Sequence, residues 1–257
     1  GFYIQLRPIL DWPICNNNAN RPITLIYKLR NDMKKILIGL FASLFLSSAA
    51  FAGQYGIGVT GSFASISAEG TESDKDGTAD TSTRKGNASH DVIVPSLFAE
   101  YSFDNGFTLG YDYTLGSADV NSSAITRTDA TSDDNEATQD DGNRTAQAEI
   151  ENVMSIYAEV PLHAGLYAKG GYVQMDVNTL ETEAVAGGST YGNESVDGII
   201  FGLGYKNSFG DNGFYKIEGT HTEMDTMTFN SSETTLGNKI TADLDVTRAT
   251  FAIGYNF

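Results

Sequence analysis

From Gln54 onward the chain alternates large apolar residues with small or polar ones at a period of two. That is the period of a strand whose two faces meet different surroundings. In 244–257 the odd positions Phe251, Ile253, Tyr255 and Phe257 are large and apolar, whereas the even positions Arg248, Thr250, Ala252, Gly254 and Asn256 are small or polar. Residues 107–116 repeat the pattern, with Phe107, Leu109, Tyr111, Tyr113 and Leu115 against Thr108, Gly110, Asp112, Thr114 and Gly116. So do residues 199–206, with Ile199, Phe201, Leu203 and Tyr205 against Gly202, Gly204 and Lys206. No convincing helical period appears. The alternation predicts eight strands, at 54–69, 91–103, 107–119, 147–160, 165–177, 196–208, 214–226 and 244–257.

The predicted connections alternate strictly in length. Short ones fall at 104–106, 161–164 and 209–213, and long ones at 70–90, 120–146, 178–195 and 227–243. In an up-and-down barrel every second connection lies at the same end, and barrels of the bacterial outer membrane have short periplasmic turns and longer outer loops. A β-sandwich has no reason to sort its loops this way. Two short connections carry almost the same phrase, SFDNGF at 102–107 and SFGDNGF at 208–214. Asp-Asn-Gly suits the positive backbone angles of a tight hairpin. The flanking aromatics Tyr101, Phe103, Phe107, Phe209, Phe214 and Tyr215, with Tyr255, are expected to form a periplasmic aromatic girdle.

Which face looks outward follows from volume. Eight strands enclose little room, so small and charged residues belong inside and bulky apolar ones outside, toward lipid. The fold class expected is therefore all-β, an eight-stranded antiparallel up-and-down transmembrane β-barrel. Parity places Glu100, Asp112, Glu159, Lys169, Lys206, Lys216, Glu218 and Arg248 inside as a charge network. Ions in a narrow lumen must pair, because an unpaired buried charge costs several kcal/mol. Glu218 with Arg248, and Lys216 with Glu100 or Asp112, are the expected partners. Strand 165–177 alternates least cleanly, and there Lys169 is placed inward.

Charge is unevenly spread. The chain has 257 residues and a net charge of −17, which argues against a nucleic-acid partner. Residues 1–52 contain six Lys/Arg and two acids, leaving 10 basic and 31 acidic residues from Gly53 on, a net of −21. Cys15 and Trp12 are the only residues of their types, so 53–257 contains no disulfide and no cysteine-ligated metal. Residues 33–53 read MKKILIGLFASLFLSSAAFAG. A positive start, an apolar stretch from Ile36 to Leu46 and a small-x-small site at Ala50 and Ala52 describe a secretory signal peptide at 33–52, with Gly53 as the mature start. The apolar stretch is shorter than the ~20 residues of a membrane span. Residues 1–32 read as an upstream extension outside the natural protein. Export without cysteines suggests a Gram-negative envelope.

The ending RATFAIGYNF at 248–257, together with the leader and the loop alternation, resembles the small eight-stranded outer-membrane barrels, such as the transmembrane domain of outer membrane protein A and the Opa-like porins. The resemblance covers 53–257. It implies that Phe251, Ile253, Tyr255 and Phe257 form the C-terminal signal read by the barrel assembly machinery. It also implies an outer-membrane location among lipid and lipopolysaccharide, as a monomer. The peptidoglycan-binding domain of outer membrane protein A has no counterpart here, so a cell-wall tether is not implied.

Three function classes remain. The first is a structural and surface-interaction role, in which acidic outer loops meet ligands the sequence does not name. The second is a narrow porin or gated channel. The third is a barrel enzyme that modifies lipid A; His221 has Glu223, not serine, two residues on, so the motif of such enzymes is incomplete. The other histidines, His90 and His163, border connections. Residues 128–143 are acidic and lack aromatics, so they are expected to stay mobile. Residues 72–83 space acids like a calcium loop but have Thr83 at its twelfth position, so no cofactor or dedicated metal site is expected. Loose divalent-cation binding beside lipopolysaccharide phosphates stays open.

Overall fold

The computed structural model describes residues 53–75, 81–131, 140–182, 190–232 and 238–257. The expected leader and its cleavage residues Ala50 and Ala52 lie outside these residues, whereas Gly53 opens the first strand. The strands are β1 (Gly53–Lys75), β2 (Thr81–Phe103), β3 (Thr108–Thr114), β4 (Ala118–Asp119), β5 (Ile125–Thr131), β6 (Asp140–Pro161), β7 (Leu166–Thr182), β8 (Glu194–Phe209), β9 (Gly213–Met224), β10 (Met227–Asn230) and β11 (Lys239–Asn256).

Eight of them close a ring. Antiparallel ladders run β1–β2–β3–β6–β7–β8–β9–β11, and β11 pairs back onto β1 from Gly56↔Asn256 to Ser73↔Lys239. No sheet edge is left at the seam, which removes the unpaired row an open sheet would present. The short fragments β4 and β5 continue β3 along β6, and β10 continues β9 along β11.

The ladders run well past the predicted strand ends. Much of 70–90, 120–146, 178–195 and 227–243, expected as long loops, is paired strand. Within 128–143, expected to be mobile throughout, residues 128–131 and 140–143 are paired in β5 and β6, and 132–139 lie outside the described residues. The polar residues that suggested loops are rich in threonine, a strand former. Low hydrophobicity there reports water on the outer face, not the end of the sheet.

The short turns differ from expectation in detail. In the first, the amide of Gly106 donates to the Phe103 carbonyl at 2.8 Å, and the positive φ, +83°, sits on Gly106, not Asn105. In the second it sits on Gly210, the extra glycine of the longer phrase. The third turn places both Ala164 and Gly165 at positive φ, with the Leu166 amide donating to the His163 carbonyl at 2.9 Å. These are the angles of a type I′ hairpin.

The outer face carries an apolar belt. Tyr55, Ile57, Val59 and Phe63 of β1 point out, as do Leu97 and Ile93 of β2 and Phe251, Ile253 and Tyr255 of β11. Ile93 is 81% exposed and Phe251 54%. The belt then stops at one level around this seam. Phe63 faces Ile93 and Ala249, and the next outward set is Ser65, Asp91 and Thr247. The same edge recurs at Tyr172↔Ile199 followed by Gln174↔Asp197. Between Tyr55 and Phe63 the strand has the ~9–11 residues a tilted strand needs to cross a bilayer. Above the edge the two faces exchange character. Outward positions become Asp245, Asp243, Glu223 and Glu69, while inward positions become Ile66, Val173, Met175, Val196, Leu244 and Val246, all buried. The lower half is built for lipid outside, the upper half for water outside.

One strand needs a correction of parity to join the halves. In β6, Ser155, Tyr157 and Glu159 point inward, and so does Ile150. Odd and even positions can share a face only because the ladder slips between Glu151 and Met154, where Asn152 takes φ +52°. This β-bulge keeps Glu149 and Glu151 out of the apolar interior. The Asn152 amide nitrogen donates to Asp176 Oδ2 at 3.0 Å, and the Tyr113 hydroxyl donates to Asn152 Oδ1 at 3.3 Å, tying β6 to both neighbours. Hydrogen bonds from Ser195 and Asn152 hold the Asp176 carboxyl below its ordinary range at this water-facing site.

Candidate functional site

Inside the lower half lies a dense ionic cluster. Lys216, 2% exposed, donates to Glu100 Oε2 and to Glu159 Oε1, both at 2.7 Å. Lys206 pairs with the other oxygen of Glu100. Lys169 donates to Glu218 Oε2 at 2.8 Å, and the Tyr167 hydroxyl donates to Glu218 Oε1 at 2.6 Å. Six of the eight charged residues assigned to the interior thus meet in one network. It spans the lumen because Glu100 (β2) and Glu159 (β6) each reach the ammonium of Lys216 (β9) from three strands away in the ring. Three lysines also lie over aromatic rings: Lys169 over Tyr157 at 3.9 Å, Lys206 over Phe214 at 4.2 Å and Lys216 over Phe98 at 4.8 Å. Such faces attract a cation further when water is excluded.

Glu218 and Arg248 do not pair, contrary to expectation. The register sets Arg248 opposite Thr220 and Glu218 opposite Thr250, two residues apart along the axis. Glu218 turns to Lys169 and Tyr167. Arg248 Nη2 instead reaches the hydroxyls of Ser62 and Ser96 at 3.4 Å and Thr114 at 3.5 Å. Asp112 is not bonded to Lys216 either; it lines the same two small spaces as Arg248, of about 50 and 20 Å³. Each has room for one or a few waters, not a continuous pore.

Phe214 corrects the girdle. It lies two residues before Lys216 and so shares its inward face; it is 0% exposed and packs edge-on to Phe98 at 6.0 Å. Phe214 and Tyr215 are adjacent, so a strand cannot send both to lipid. The remaining girdle residues form outer-face contacts at the short-turn end. Tyr101 meets Tyr55 at 4.8 Å and Phe103 at 4.9 Å, Phe103 meets Phe107 at 5.7 Å, and Tyr255 meets Phe257 at 5.3 Å. Tyr215 stacks on Phe251 at 6.5 Å, and Phe209 is exposed. The ending residues Phe251, Ile253, Tyr255 and Phe257 all stand about half exposed or more on the outside.

The lumen also holds aromatics that volume reasoning left out: Phe98, Tyr157, Tyr167 and Phe214 are all buried inside. Each fits because a neighbouring strand presents glycine. A Cβ at Gly110 would lie 2.2 Å from the Tyr157 ring, and one at Gly204 2.3 Å from the Tyr167 ring. The sequence signal is an inward glycine opposite an inward aromatic, visible only once the pairing is known.

Above Arg248 the interior turns apolar. Ile66, Val173, Met175, Met224 and Val246 form a buried floor. On it opens a cavity of about 380 Å³, walled by Ala68, Val120, Val177, Tyr191, Met227, Phe229 and Leu244 and rimmed by Glu72, Arg84, Lys85 and Glu181. Tyr191 is held over one side of the mouth. Its carbonyl accepts from Thr179 Oγ1 at 2.6 Å, its hydroxyl donates to Glu72 Oε1 at 3.3 Å, and it bridges to Ser231.

His221 stands on the outer face at the belt edge. Its Nδ1 is 3.0 Å from the Thr247 hydroxyl, and its Nε2 is 4.0 Å from Glu223. The hydroxyl on the neighbouring strand stands where sequence reading found no serine, but the acid lies beyond hydrogen-bond length. Phe201 packs on the imidazole at 5.4 Å. His90 lies in β2, and His163 in the third short turn. Among the described residues no His, Cys, Asp and Glu group suits a metal ion.

No protein-family model matches the chain, and no curated protein is significantly similar to it. Solved structures do align. OprG from Pseudomonas aeruginosa matches over 80% of this chain and 97% of its own, at 12% identity and a TM-score of 0.43. The likeness is one of fold. The outer membrane protease OmpT of Escherichia coli covers 82% of this chain and 99% of its own, at 10% identity and 0.45. Ail, the attachment invasion locus protein of Yersinia pestis, covers 77% and 99%, at 15% and 0.31. Such distant likenesses assign no activity, and the closed ring with its belt stands on this chain's own residues.

Proposed function

We propose that this chain is a non-enzymatic outer-membrane barrel with a structural and surface-interaction role, its lumen sealed and its acidic outer half standing in water. The observation that carries the reading is the Lys216–Glu100–Glu159 cluster, capped by the fully buried Phe214. An ion crossing there would have to break a network in which each charge already has its partner. The leader at 33–52 would deliver the chain for export, the ending Phe251–Phe257 would serve the barrel assembly machinery, and the belt would meet lipid and lipopolysaccharide. The closed seam favours a monomer, since no strand edge seeks a partner. Outward Asp91, Glu223, Asp243 and Asp245 give the exposed half a negative field, which disfavours polyanionic partners.

Planar-bilayer recording of the folded protein tests the seal. No steady current is expected from the wild type. A steady, ion-selective current that falls in Arg248→Ala would replace the reading with a gated channel. Lipid A is expected to be unchanged on co-expression; a deacylated product lost in His221→Ala would make it an enzyme.

A further inference from the structure

The exchange of faces along the strands leaves the outer half with an unusual interior. A barrel end that only displayed loops would need no hollow apolar core above a sealed floor. Yet an open cup of about 380 Å³ lies there, within the range of small-molecule sites. Its walls are hydrocarbon and aromatic, with Val177, Phe229, Met227 and Leu244 each buried. Its charged groups include Glu72 and Arg84, in the cross-strand row of Ile240 and Phe229, whereas the row of Leu244 and Ala68 beneath is apolar. The mouth segment is fixed: the Ser232 amide donates to the Thr190 carbonyl at 2.8 Å and the Thr190 amide to Ser232 Oγ at 2.9 Å. Water gains little in such walls, because a buried water needs two to four polar partners.

We propose that this cup is a binding site for a small, uncharged, largely hydrocarbon molecule with at most one neutral polar end, which enters from the outer side and is retained. The apolar body fills the space against Phe229 and Met227, and a polar end lies by the Tyr191 hydroxyl. The floor of Ile66, Met175 and Val246, with Arg248 beneath, denies passage to the other end. Neutrality follows from the walls: a charged group would lose its hydration with no partner below the rim. The proposal rests on the reading that the outer half stands in water above the belt.

Tryptophan reporters test it in the full chain carrying Trp12→Phe, which removes the native indole. Phe229→Trp reports the cup, and Phe251→Trp reports the belt. In proteoliposomes, 1-bromonaphthalene is expected to quench the Phe229→Trp reporter saturably and the Phe251→Trp reporter only in linear proportion to its membrane partitioning. Adding Ala148→Phe, which fills the cup from its wall, should raise the half-saturation concentration by about tenfold or more. Heat-dependent gel mobility verifies that each variant folds. Linear quenching at Phe229→Trp, or saturation untouched by Ala148→Phe, overturns the site. Lipids brominated on their acyl chains separate the two ideas: they should quench Phe251→Trp and spare Phe229→Trp. Equal quenching of both would overturn the underlying reading instead.

Discussion

Lys216 is the residue on which the lower lumen depends. Its ammonium is shared by two carboxylates that water does not reach. Lys216→Met strands Glu100 and Glu159, and breaking a buried pair from one side costs about 3–5 kcal/mol. Urea unfolding in detergent should show that loss. Replacing Lys206 together with these three by apolar residues of similar size should recover most of it, because no charge of the group is then left unpaired. Ala164 presents the opposite case. It adopts φ +51° without being glycine, which costs an L-residue roughly 1–2 kcal/mol. Ala164→Asn creates the Asn-Gly pair that type I′ turns favour. The same urea assay should show a higher midpoint, corresponding to a gain of up to about 1 kcal/mol. The charges Glu100, Glu159, Lys169, Lys206, Lys216 and Glu218 were readable from parity alone, since alternation fixes a face. Of the expected partners, Lys216 with Glu100 is present, whereas Glu218 with Arg248 is not, because that pairing depended on a register that the sequence leaves open by two residues.

At the scale of elements, the switch of character along each strand sets the energetics. Ile253 lies mid-belt opposite Val59, so Ile253→Arg should destabilise by about 2–4 kcal/mol, as at a bilayer midplane. Asp245→Arg, on the same face four turns of the pleat higher, should change unfolding by less than about 0.5 kcal/mol. The bulge in β6 makes a sharper test. Deleting Asn152 removes the extra residue, so that Ser155, Val153 and Ile150 face inward in simple alternation while Glu149 and Glu151 still face out. That variant should keep its heat-dependent gel shift, as should Asn152→Gly, which keeps the positive φ; loss of the shift on deletion would contradict Asn152 as the extra residue. The belt was legible because large residues recur at every second position from Phe251 to Phe257. The outer halves of the strands read as loops, because a water-facing strand with Thr, Ser and Asp outside lacks the bulky marker. Its inward Ile66, Leu244 and Val246 form the alternation of a soluble barrel, and this begins where the membrane pattern ends. The bulge escaped notice for the same reason: Ile150 and Tyr157 fall on opposite parities, which looks like noise until the ladder shows a slip.

For the molecule as a whole, two barrels of opposite polarity share one set of strands. The lower is greasy outside and ionic inside; the upper is acidic outside and apolar inside. The sealed lumen and the cup follow from that junction, with Arg248 and its three hydroxyl partners at the level where one regime gives way to the other. Loop lengths told of a barrel, and parity told of lipid, but nothing in a single strand announced that the solvent changes part-way up. Spin labels along β11 test this directly. In the full chain with Cys15→Ser, single cysteines replace Asp243, Asp245, Thr247, Phe251, Ile253 and Tyr255 in turn, and each label's collisions with oxygen and with a water-soluble nickel complex are measured in liposomes. Labels at Phe251, Ile253 and Tyr255 should meet oxygen and exclude nickel, and those at Asp243, Asp245 and Thr247 should do the reverse. A uniform profile along all six positions, or nickel access at Ile253, would contradict the account.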